Sequence, residues 1–148
     1  MMANSKINAF LVHLGFNMWL DQPEKDGIHA LPGKGPYQYA SDTLRFDSGV
    51  WHDLSWLLKE AGCNMILIDV AEGMKYETHP EIAVKGSWSK TQLADELSRL
   101  RSMGFEVIPK LNFSAGHDEW MGIYSRMLST PAYYKFCEDV IDEVYEVF

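Results

Sequence analysis

His117, Asp118, Glu119 and Trp120 stand in a row, directly after the small-residue turn Ser114-Ala115-Gly116. An imidazole, carboxylates and an indole in one place can hold a sugar. The indole stacks on the apolar face of a pyranose ring, and the polar groups hydrogen-bond its hydroxyls. Behind them the apolar run Val107 to Leu111 reads as a buried strand. Ligands of parallel α/β proteins bind outside the carboxyl ends of the strands, so His117, Asp118 and Trp120 are candidate substrate contacts.

Two more strand ends add to the set. Asp69 sits at the carboxyl end of the run Met65 to Val70, and Asn17 and Trp19 follow the run Ala9 to Leu14. Each candidate also has a plainer role beside it: His117 pinning its turn, Asp118 capping the next one, Trp19 plugging a rim, Asp69 accepting loop amides. Lys110 lies inside a strand, where a buried ammonium needs a carboxylate, and Asp69 on the neighbouring strand is the expected partner. Glu72 is a weaker candidate than Asp69, with a solvated side chain as its plainer role; His52-Asp53 reads as helix surface, and Tyr37, Tyr39 and Tyr76 as loop tyrosines within reach of a sugar.

No metal or cofactor is expected. His79 is a lone loop imidazole, and no glycine-rich phosphate loop, HExxH, serine elbow or CxxC occurs. Cys63 and Cys137 are far apart and read as packed free thiols. No residue is assigned as catalytic from the sequence.

A net charge of −8 and a pI near 5.0 argue against nucleic acid, which needs a basic face, and against anionic membranes. The acidic stretch from Glu138 to Glu146 has the spacing of a solvated helix face. Ala9 to Leu14 is too short to span a bilayer, and the first residues lack a signal-peptide pattern, which leaves the compartment open.

Three strand-then-helix units must position these residues. Val50, Leu54, Leu57, Leu58 and Ala61 recur at helical spacing before Gly62. Ser89 and Gln92 form a capping box ahead of the stripe Leu93, Leu97 and Leu100. Thr130-Pro131 opens a helix carrying Tyr133, Phe136, Cys137, Val140, Ile141, Val144 and Phe148 on one side. Long loops follow each strand and tight turns follow each helix. The expected fold class is therefore α/β, of the (β/α)8 TIM-barrel type, with the 148 residues forming the first three βα units of one domain. A whole barrel usually takes about 250 residues. The rival is a small open α/β sheet. Either way, open sheet edges make self-association a candidate interaction.

Three stretches resemble a known family. Glu60-Ala-Gly-Cys-Asn-Met-Ile-Leu-Ile-Asp69 resembles the helix-to-second-strand junction of family 20 glycoside hydrolases, the β-N-acetylhexosaminidases. Thr78 to Leu93 is similar to their loop before the second helix, and Arg101 to His117 to their third strand with its Pro-Gly-His turn. The likeness covers about Leu54 to Trp120. It implies a glycoside hydrolase acting on a carbohydrate substrate, without a cofactor, and relatives that are often exported. It also implies an Asp-Glu pair on a fourth strand as the chemical centre, which this chain does not contain.

The chain departs from that pattern at several points. No Arg follows the first strand, Val70 replaces the second of two adjacent acids, Lys110 stands where an acid is common, and Ala115 replaces the Pro of the turn. The substrate therefore need not be an N-acetylhexosamine. The alternative function is a non-catalytic sugar-binding α/β module.

Overall fold

The computed structural model describes residues 6–17, 40–113 and 117–148. Trp19, Tyr37 and Tyr39 lie outside them. Strands β1 (Ala9–His13), β2 (Met65–Asp69) and β3 (Glu106–Lys110) form one parallel sheet in the order β1-β2-β3. Helices α1 (Ser48–Glu60), α2 (Lys90–Ser102) and α3 (Pro131–Val147) follow the strands in turn. Each strand sits within a residue of its expected place. Among the described residues, β1 and β3 pair with β2 only.

Side-chain chemistry sets the helix starts. Asp47 accepts the Val50 amide, Ser89 and Gln92 close the expected capping box, and Thr130 accepts the Tyr133 amide ahead of Pro131. Gly62 and Gly104, with φ of 80° and 86°, turn the chain from helix into strand.

The two faces of the sheet differ. Ile66, Ile68 and Val107 are buried on one face, with Phe10 and Val12 packed against the same core. Leu93, Leu97 and Leu100 of α2 and Phe136, Val140 and Val144 of α3 belong to that core. Each such side chain contributes about 1.5–3 kcal/mol on burial. Alternate positions point the other way, where Leu11 is 40% exposed. Among the described residues, the helices cover one face of the sheet.

The α1 stripe also differs from expectation. Val50 and Leu57 are 64% and 61% exposed, while Trp51 and Ser55 are buried and Leu54 and Leu58 half-buried. Polar contacts with α2 set this rotation. Trp51 Nε1 donates to Glu96 Oε1 at 2.6 Å, and Arg99 donates to Ser55 Oγ at 3.1 Å. On α3, Tyr133, Phe136, Val140 and Val144 are buried as expected, but Ile141 is 49% exposed.

Three loop and helix groups that read as exposed or unattached are not. Tyr76 is buried, its hydroxyl donating to the Ala71 carbonyl. His79 sits between Glu81 and Asp139, against the rings of Tyr124 and Phe136. Glu143, inside the acidic stretch, is buried and accepts the Glu77 and Thr78 amides and the Thr78 hydroxyl, with Lys90 Nζ at 3.0 Å. It ties α3 to the loop after β2.

Burial would raise the Glu143 carboxyl, but the Thr78 and Glu77 hydrogen bonds and Lys90 prevail and hold it at about 2. A depressed folded value gives stability that is fully present above the ordinary value near 4.5 and lost as pH falls toward 2. After solvent screening, the stability it carries is on the order of 1–2 kcal/mol. Urea titrations at neutral and strongly acidic pH should therefore show a steeper acid loss in the parent than in Glu143→Gln. Parallel acid profiles would remove this anchor role.

Candidate functional site at the strand ends

Strand register brings the site together. His13, Asp69 and Lys110 are the last residues of their strands and are paired across the sheet, so all three project from the face away from the helices. Beneath them lie the in-register rows Leu11, Leu67, Ile108 and Ala9, Met65, Glu106.

Asp69 is fully buried and is the centre of the polar row. Its Oδ2 accepts Lys110 Nζ at 2.5 Å and Asn112 Nδ2 at 2.7 Å. Lys110 also donates to Asn112 Oδ1 at 2.8 Å. His13 Nδ1 stands 3.2 Å from the same Oδ2 without hydrogen-bond alignment, and Asp69 Oδ1 has no partner. Burial pushes the Asp69 carboxyl up, yet His13 and Lys110 outweigh it and hold it below the usual value. The expected Lys110–Asp69 pair is present.

Four successive amides of the β1 exit are captured by the β2 exit. Leu14 and Gly15 donate to the Asp69 carbonyl at 2.9 and 3.1 Å, and Phe16 and Asn17 to Glu72 Oε1 at 2.6 and 2.8 Å. The approach needs glycine. A Cβ on Gly15 would lie 2.6 Å from the Val70 carbonyl oxygen, and one on Gly73 would lie 2.9 Å from the Gly15 nitrogen.

Glu72, whose plainer role was a solvated side chain, is buried, with Oε2 unpartnered. Burial is the main influence on its carboxyl, and with the Asp69 charge it prevails over the Phe16 and Asn17 amides, leaving the carboxyl above its usual value.

Beside this junction lies a cavity of about 430 Å³ whose lining includes Asn17, Glu72, Glu81, Glu119, Trp120 and Tyr124. The Asn17 side chain also clamps Ser41, donating to its carbonyl at 2.7 Å and accepting its amide at 2.8 Å. Trp120 is 4% exposed; it donates to the Asn112 carbonyl and packs against Tyr76, Phe113 and Phe136. Protein aromatics thus surround its ring. Asp118 is buried at the start of the segment Glu119–Arg126 but its side chain makes no cap hydrogen bond. His117 is exposed. Asn17 and Trp120 therefore share the cavity, while Asp69 belongs to the strand-end row.

The sequence reading missed His13 and Asn112 as members of this region and held Glu72 only as a weaker candidate. Register was the available signal for His13, since it ends β1 as Asp69 ends β2. Nothing in the local sequence marks Glu72 as buried, because the amides that bury it come from residues far away in the chain. Among the described residues, no group of three or more His, Cys, Asp or Glu is placed to hold a metal ion, and no helix is long and apolar enough to cross a membrane. No family of known proteins, no curated protein and no solved structure matches this chain.

Proposed function

We propose that this chain is a carbohydrate-active domain of glycoside hydrolase type, holding a neutral sugar at the carboxyl ends of its strands. The observation that supports this best is the 430 Å³ cavity beside the β1–β2 junction, whose lining combines carboxylates and an amide with the aromatic side chains Trp120 and Tyr124. Its volume is in the range that takes small ligands. Carboxylates and amides bind hydroxyls in pairs, and aromatic rings pack against the C–H face of a sugar.

The finer fold reading is an arc of a (β/α)8 barrel. In its support, the uncovered face carries in-register rows that are apolar through Leu11, Leu67 and Ile108 and polar at His13, Asp69 and Lys110. Barrels fill their interior in such layers and place their chemistry at the carboxyl end.

Binding without turnover is the expected behaviour of these residues. Glycoside cleavage needs a protonated carboxyl against the leaving oxygen, a contribution on the order of 10²–10⁴ in rate. The family resemblance puts that acid on a fourth strand. Asp69 is a poor substitute because His13 and Lys110 favour its anion.

Calorimetric titration with glucose, galactose and N-acetylglucosamine, run beside chromogenic glycoside assays, tests the reading. Sugar binding without release of chromophore is expected, and no binding by any sugar would end the carbohydrate assignment. Turnover abolished by Glu72→Gln, Asp118→Asn or Glu119→Gln would instead place the acid here.

A further inference from the structure

We propose that His13 is a ligand-contacting residue: Asp69, itself fixed by Lys110 and Asn112, holds the Nδ1 edge of the imidazole and leaves Nε2 to accept a hydrogen bond from a hydroxyl of an uncharged polyol. The inference rests on the carbohydrate reading for its ligand, and on the strand-end row alone for its geometry.

Three observations carry it. First, His13 Nδ1 is buried and unpartnered although an anionic oxygen lies 3.2 Å away, so a small rotation of the ring completes the hydrogen bond. A neutral imidazole that donates from Nδ1 must accept at Nε2. Second, the row is anchored from both sides. Lys110 and Asn112 converge on Asp69 Oδ2, and fixed neighbours keep the carboxylate from following the ring. Third, the His13 side chain is 35% exposed, on the face of the sheet that no helix among the described residues covers, so the ring is open to a ligand.

Charge selects the class of ligand. Lys110, the cation of the row, is already paired with Asp69, which leaves an anion little to bind and favours a hydroxyl donor.

Long-range proton–nitrogen correlation spectra of the intact chain, at about pH 8 where imidazoles are largely neutral, report which ring nitrogen carries the proton. The Nδ1–H form is expected for His13, reverting toward Nε2–H in Asp69→Asn. Addition of methyl β-glucopyranoside or N-acetylglucosamine should shift the Nε2 signal, and His13→Gln should weaken sugar binding about tenfold, the loss of one hydrogen bond.

An Nε2–H form in the parent chain overturns the proposal. So does a response to inorganic phosphate with none to either sugar, which would make the row an anion site. An Nδ1–H form that no sugar perturbs keeps the arrangement of the row but refutes the carbohydrate contact, so the two failures are distinct. Backbone amide spectra of the variants establish that the sheet is intact.

Discussion

Lys110→Met should cost the fold about 3–5 kcal/mol at neutral pH, the usual penalty for removing one partner of a buried ion pair. Asp69 has no exposed surface, whereas Lys110 is 31% exposed. Removing the lysine therefore strands an anion that cannot reach water. Removing the carboxylate strands an ammonium that can, so Asp69→Asn should cost less.

The pH response gives the sign. Burial is the largest influence on the Asp69 carboxyl, and without Lys110 the contact with His13 is the main influence left against it. The folded value then rises above the unfolded one near 3.8, the folded state binds the proton more readily, and stability recovers as pH falls. The parent behaves oppositely, because its Asp69 is depressed and loses stability in acid. Urea unfolding of both proteins at neutral pH and near pH 5 measures this. A loss under about 1 kcal/mol at neutral pH would mean that Lys110 is held too loosely to matter.

Trp120→Ala should be comparably damaging, at about 3–5 kcal/mol, the range for deleting a large core aromatic. The ring is 4% exposed, packs against Tyr76, Phe113 and Phe136, and its N–H serves the Asn112 carbonyl. Trp120→Phe keeps much of the packing and forfeits the hydrogen bond, about 1 kcal/mol more modestly. A stable alanine variant that merely fails to bind sugar would show a stacking platform instead. Chemical denaturation followed by far-ultraviolet circular dichroism distinguishes the two.

Local chemistry made the elements legible. The capping box at Ser89 and Gln92, the Thr130-Pro131 helix start and the three apolar runs are short-range signals, and each matches the structure within a residue or so. The Lys110–Asp69 pair followed from a single constraint, that a strand-borne ammonium needs an anion beside it.

Tertiary partners fixed what the sequence left unread. The rotation of α1 depends on Glu96 and Arg99 of α2, which pull Trp51 and Ser55 inward at the expense of Val50 and Leu57. Glu143 has the spacing of a solvated residue and is buried only because Thr78 and Lys90 come to it. The same holds at the site. Glu72 acquires its role from amides of the β1 exit, and Trp120 becomes core because Tyr76 and Phe136 converge on it.

The joined exits of β1 and β2 have one more consequence. Main-chain atoms meet there across two glycines, and the amides of residues 14–17 find their acceptors in a single neighbouring turn. The outline of that rim is thus written in backbone, with Glu72 as its one indispensable side chain. Evolution is then free to exchange neighbouring side chains and so alter which molecule is welcomed, while the doorway itself keeps its shape. Gly15, Glu72 and Gly73 are the three positions where that freedom ends.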